Sequence, residues 1–162
     1  MGSAERLAAF DRSFERFLGA LGNIPDSSFT EKLDSATPRE LMAQLIGWNR
    51  LVAAGCRKLG AGEAPEYFAH ADGDYAQVQA ESLRAIGSLD RRQMAEQLSA
   101  TKVELASYLS GLDASEWTRD RGLRHPEGGP VNVQRELEAL TRRYLDATDE
   151  IMLWLDAHGS AG

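Results

Sequence analysis

The sequence predicts an all-α protein, a four-helix bundle with long crossover connections and a short extra helix. Three observations predict it. Apolar residues recur at three- and four-residue intervals in four long segments, and no segment alternates apolar with polar residues as a half-buried strand does. The segments between the helices are longer than side-by-side helices need, which points to a bundle whose neighbours are not sequential.

In the first helix Leu7, Phe10, Phe14, Phe17, Leu18 and Leu21 form one buried stripe, and Gly22, Asn23 and Pro25 end it. Residues 24–36 are polar and read as a loop crossing one end of the molecule. The second helix is announced by Thr37-Pro38-Arg39-Glu40, a capping box: the Thr37 hydroxyl accepts from the Glu40 amide and the Glu40 carboxylate reaches back. Pro38 stands in the first turn, where its missing N–H costs nothing. Leu41, Leu45, Trp48, Val52, Cys56 and Leu59 continue it to Gly60, apolar over more than half its girth, so the helix is expected at the centre of the fold.

Residues 60–73 read as an irregular crossover and 74–86 as a weak, short helix, with a break at Gly87-Ser88. A long helix follows over 90–109, with Met94, Leu98, Val103, Leu105 and Leu109 on its stripe. Residues 113–130, including Trp117 and RDRGLRHPEGGP, read as a polar, glycine-rich loop. Asn132 caps the last helix, whose stripe is Leu137, Leu140, Tyr144, Ala147 or Thr148, Ile151 and Trp154 or Leu155, closed by Gly159.

Length and composition bound the function. With 162 residues, 43% apolar and 27% charged, the chain is expected to be a single soluble domain over 1–162, with its core about 3–158 and residues 1–2 and 159–162 disordered. One cysteine allows no bridge within the chain and no thiolate metal cluster, which suits a reducing cytoplasm. The formal charge of −7 argues against nucleic acid, which requires a clustered excess of Lys and Arg. Arg91-Arg92 and Arg142-Arg143 are interleaved with acids and read as solvated helix faces. No apolar run approaches the roughly 18 residues of a membrane span. Glu5, Asp11 and Glu15 argue against a signal peptide.

The order of these parts, with Leu-Met-Ala-Gln-Leu-Ile-Gly-Trp-Asn after the T-P-R-E cap and Arg-Tyr-Leu-Asp-Ala-Thr-Asp-Glu-Ile on the last helix, resembles the DinB-like (YfiT-like) superfamily of helical bundles. The second helix is similar to that family's "vrel-aHl-gW" pattern, and the last resembles its "HxxxHxxEI" segment, with Asp149, Glu150 and Ile151 in register. The resemblance implies that a metal-binding member would hold its ion with one side chain of the second helix and two, spaced four apart, of the last. Here those positions are Gln44, Arg143 and Ala147, so no metal and no cofactor is expected. His70, His125 and His158 have no ligand spacing among them.

The resemblance places a ligand pocket at Gln44, Trp48, Arg143, Tyr144 and Ala147. Each has a plainer alternative. Gln44 reads as a buried amide bonded to a carbonyl or water, or as a donor and acceptor for a ligand. Trp48 and Tyr144 read as core, or as cavity walls. Arg143 reads as a flank residue paired with Glu40, Glu136 or Glu138, or as a guanidinium aimed into the cavity to take a carboxylate or phosphate. Cys56 reads as an inert core thiol and His125 as a solvated loop histidine.

The function expected is binding or detoxification of a small organic molecule in a metal-free bundle cavity, as the ClbS/DfsB-type branch of the superfamily would imply. A metal-dependent thiol transferase or isomerase and a non-catalytic dimeric bundle are the alternatives. A homodimer in the cytoplasm is expected, with neither nucleic acid nor membrane as partner.

Overall fold

A computed structural model describes residues 2–65, 75–125 and 128–158. The expectations for His70, Asp74, the HPEGG turn at 126–127, the Gly159 stop, and residues 1 and 159–162 lie outside the described residues. Four long helices form the frame: α1 (Ser3–Gly22), α2 (Pro38–Gly60), α4 (Arg91–Ser110) and α6 (Val133–His158). Two shorter ones, α3 (Ala76–Ile86) and α5 (Ala114–Trp117), complete the set, and no strand occurs among the described residues.

The frame is a ring in which α1 packs on α6 and α4, and α2 packs on α4 and α6. Consecutive helices α1 and α2 therefore stand diagonally opposite, as the length of the 24–36 crossover predicts. That crossover starts with a 3-10 turn at Asp26–Ser28 and buries Phe29 on its way across the bundle end. Arg91 of α4 clamps its beginning, donating to the carbonyls of Leu21 (2.7 Å) and Ile24 (2.9 Å) and to Asp26 (2.9 Å). The sequence places Arg91 on a solvated face. It is instead half-buried, because its guanidinium reaches over the end of α1 to bond Leu21 in the last turn and Ile24 just beyond it.

The α2 capping box forms as expected, with the Glu40 amide 3.0 Å from Thr37 Oγ1 and Glu40 Oε1 accepting from the Thr37 amide at 3.2 Å. A second box, Asp90 with Gln93, starts α4. Its buried line is Met94, Leu98, Thr101, Leu105 and Leu109, so a polar Thr101 occupies the place the sequence assigns to Val103. Val103 is 58% exposed, since residue 103 falls between the 101 and 105 rows that face α2.

α3 is a separate short helix, ended at Gly87, whose φ of +52° favours glycine. It lies against α2 at Gly47, where an added Cβ would collide with the side chain of Ser82. α5 departs from the expected loop: Trp117, 2% exposed, draws one helical turn onto α6.

The centre of the bundle is polar at one point. Tyr144 of α6 is fully buried, with its ring edge-on to Phe10, Phe14 and Phe17 of α1 at centroid distances of 5.6, 5.8 and 5.9 Å. Its hydroxyl donates to Asn49 Oδ1 of α2 at 2.8 Å, and Asn49 Nδ2 donates to Thr101 Oγ1 of α4 at 3.0 Å. Each aromatic pair adds about 0.5–1.5 kcal/mol beyond its buried area, and the relay leaves no buried polar atom of Tyr144 or Asn49 without a partner.

Candidate functional site

Four of the five residues expected at the pocket meet at one cavity. Gln44 and Trp48 project from one face of α2, and Arg143 and Ala147 from the facing side of α6. Leu41 and Leu45 supply an apolar wall, while Ser35, Asp146 and Glu150 complete the rim. The cavity measures about 180 Å³, the space of about six waters. That suits the functional end of a small metabolite better than a drug-sized ligand.

Arg143 lies over the ring of Trp48 at stacking distance, with the guanidinium carbon 3.7 Å from the ring centroid and 5.4 Å from that of Tyr75. Tyr75, at the start of α3, meets Trp48 edge-on at 5.1 Å. Stacking uses the face of the guanidinium and directs its N–H donors sideways, in its own plane. The three acids named as its flank partners are engaged elsewhere: Glu40 in the capping box, Glu138 with Arg6 at 2.8 Å, and Glu136 beside His125 at 3.2 Å. Arg143 is half-buried, not solvated, because two aromatic rings cover it.

Gln44 is half-buried, and among the described residues its amide makes no hydrogen bond. A donor and an acceptor are thus presented at the cavity wall with no backbone carbonyl to bind them. Glu150 is committed to structure: Oε2 accepts from the amides of Ser35 (3.0 Å) and Ala36 (3.2 Å), and Oε1 accepts from the Ser35 hydroxyl (2.6 Å). The acid of the Glu-Ile pair therefore ties the crossover to α6. Asp146 is exposed and 3.8 Å from Arg142.

Tyr144 does not reach this cavity. Its ring packs edge-on against Phe10, Phe14 and Phe17 of α1, and its hydroxyl is spent on Asn49 of α2. Burial pushes its phenol up from the ordinary value, although the Asn49 hydrogen bond pulls the other way. Asn49 itself carried a usable signal, a polar residue four positions after Leu45 on an apolar face.

The residues at the three metal positions do not fit a divalent ion. Ala147 has no donor atom, Arg143 places a cation where a cation would sit, and Gln44 offers one neutral oxygen. Among the described residues no group of three or more His, Cys, Asp or Glu is gathered as a metal site. His158 stacks on Trp154 near the end of α6 (4.4 Å). His125, expected in solvent, has a side chain only 18% exposed and lies against the buried Glu136, since Leu123 and His125 bond back to Val131 and Gly129, just before α6. Cys56 is fully buried, and its thiol is pushed up to about 12, first by burial and then by the charge of Glu136. That makes it an inert core residue.

No protein-family model and no curated protein sequence matches the chain. Solved structures do. The colibactin self-resistance protein ClbS, in complex with a double-stranded DNA, superposes with a TM-score of 0.76 at 16% identity, covering 94% of each chain. DfsB, described as a sibling lethal factor precursor, gives 0.79 at 17% identity, covering 97% of this chain and 96% of its own. The mycothiol-dependent maleylpyruvate isomerase gives 0.74 at 14%, covering 93% of this chain and 61% of its own. The chain has the DinB-like fold. At these identities the match is one of architecture and carries no chemistry with it. Among the described residues no helix is long and apolar enough to cross a membrane.

Proposed function

We propose that this DinB-like bundle binds or detoxifies a small organic molecule in the metal-free cavity between α2 and α6, with Arg143 taking an acidic group of the ligand. One observation carries the reading: the Gln44 amide, which makes no hydrogen bond among the described residues, lines the same small cavity as a guanidinium stacked over Trp48. A planar donor fixed before the ligand arrives loses less freedom on binding than a mobile one. The self-resistance role named for ClbS supports protection against a reactive compound as the purpose. The formal charge of −7 supports keeping nucleic acid outside the proposal.

The test is a thermal-shift screen of small acidic metabolites. At a hundredfold excess over Kd a ligand adds about 2.7 kcal/mol, which for a domain of this size raises Tm by about 5–10 °C. The rise should grow with concentration and vanish in Gln44→Ala and Arg143→Ala. A screen that shifts nothing counts against the pocket, and stoichiometric nickel, zinc or iron in protein purified without chelator counts against its being metal-free.

A further inference from the structure

The cavity that presents Gln44 and Arg143 also presents two carboxylates, Asp146 and Glu150. They stand three and seven positions beyond Arg143, on the same face of α6. The two acids differ in what they have left to offer. Glu150 accepts three hydrogen bonds from Ser35 and Ala36 and keeps little acceptor capacity. Asp146 has a side chain 66% exposed, and its ion pair with Arg142 is a long one, 3.8 Å, between two exposed groups. Such a pair is readily exchanged for another cation.

We infer that the site selects a zwitterion: a small organic acid that also carries an ammonium group. This rests on reading the cavity as a metal-free ligand site. The carboxylate takes the in-plane donors of Arg143 and the NH₂ of Gln44, and the ammonium group takes Asp146, with Glu150 adding its negative field. A phosphate or dicarboxylate brings a second negative charge toward those two acids and is disfavoured. A plain monoacid satisfies the Arg143 end and leaves the acidic rim unmatched. An amine alone does the converse. The volume of about 180 Å³ admits an amino acid of a few carbons with little space to spare.

Isothermal titration calorimetry on the full chain separates these cases with matched probes: glycine, β-alanine, γ-aminobutyrate and 5-aminovalerate, the plain acids of equal length, butylamine, and inorganic phosphate. One amino acid of the series is expected to bind at least tenfold more tightly than its plain acid, with phosphate the weakest anion. Asp146→Asn, folded by circular dichroism, should bring that ratio close to one. A plain acid that binds wild type as tightly as the amino acid, or a tenfold ratio that survives in Asp146→Asn, overturns the zwitterion inference and leaves the pocket standing if binding still requires Arg143. Silence from every probe removes both.

Discussion

The Tyr144 hydroxyl donates to Asn49 Oδ1 across the centre of the bundle, at 2.8 Å, and joins α6 to α2 and, through Thr101, to α4. Tyr144→Phe keeps the ring and its three aromatic contacts while leaving Asn49 Oδ1 buried without a donor. The expected cost is about 1–3 kcal/mol in urea denaturation with an unchanged m-value. Stability equal to wild type would show that the hydrogen bond is neutral and the ring alone matters.

Gly47→Ala should be costly for a reason visible only in three dimensions. Its new Cβ would lie 2.6 Å from Ser82 Cβ, inside any real contact distance. α3 must move, at about 1–3 kcal/mol, carrying Tyr75 away from Trp48 and Arg143. Ser82→Gly in the same chain should recover most of that loss, giving a large coupling in a double-mutant cycle. Purely additive effects would mean that the two sites do not meet.

Cys56 predicts an alkaline weakness. Its folded-state thiol is raised to about 12 from an unfolded value near 9.0, so its contribution is complete below pH 9.0 and is lost as pH rises toward 12. In that window the unfolded chain sheds a proton that the folded chain keeps, and stability falls by about 1.4 kcal/mol per pH unit from this group. Tyr144 adds to the same trend, its phenol being raised as well. Cys56→Ala should flatten the alkaline limb of a stability-against-pH curve. In the native protein at pH 8 the thiol should stay closed to thiol-specific dye until denaturant is added.

The long helices and their caps were legible because their causes are local: Thr37 and Glu40 are three residues apart, and the stripes of α1, α2 and α6 repeat within one chain segment. The cavity was legible through resemblance, which put Gln44, Trp48, Arg143 and Ala147 on facing helices. What escaped the sequence depends on partners far along the chain. Val103 looks like a core residue until α2 fixes which row of α4 faces inward. Tyr144 looks like a pocket residue until Asn49, 95 positions away, claims its hydroxyl. His125 looks solvated until the segment folds onto Glu136, and Arg143 looks like a flank charge until Tyr75 arrives on α3.

The diagonal placement of α1 and α2 has a consequence for biosynthesis. α1 packs chiefly on α6 and more lightly on α4, so it meets its main partner only after α6 has been made. Until then the faces of Phe10, Phe14 and Phe17 lack Tyr144 and stay open to water or to a chaperone. A chain stalled before Val133 would therefore hold α2 with α3 and α4 while α1 waits for its main surface, not yet translated.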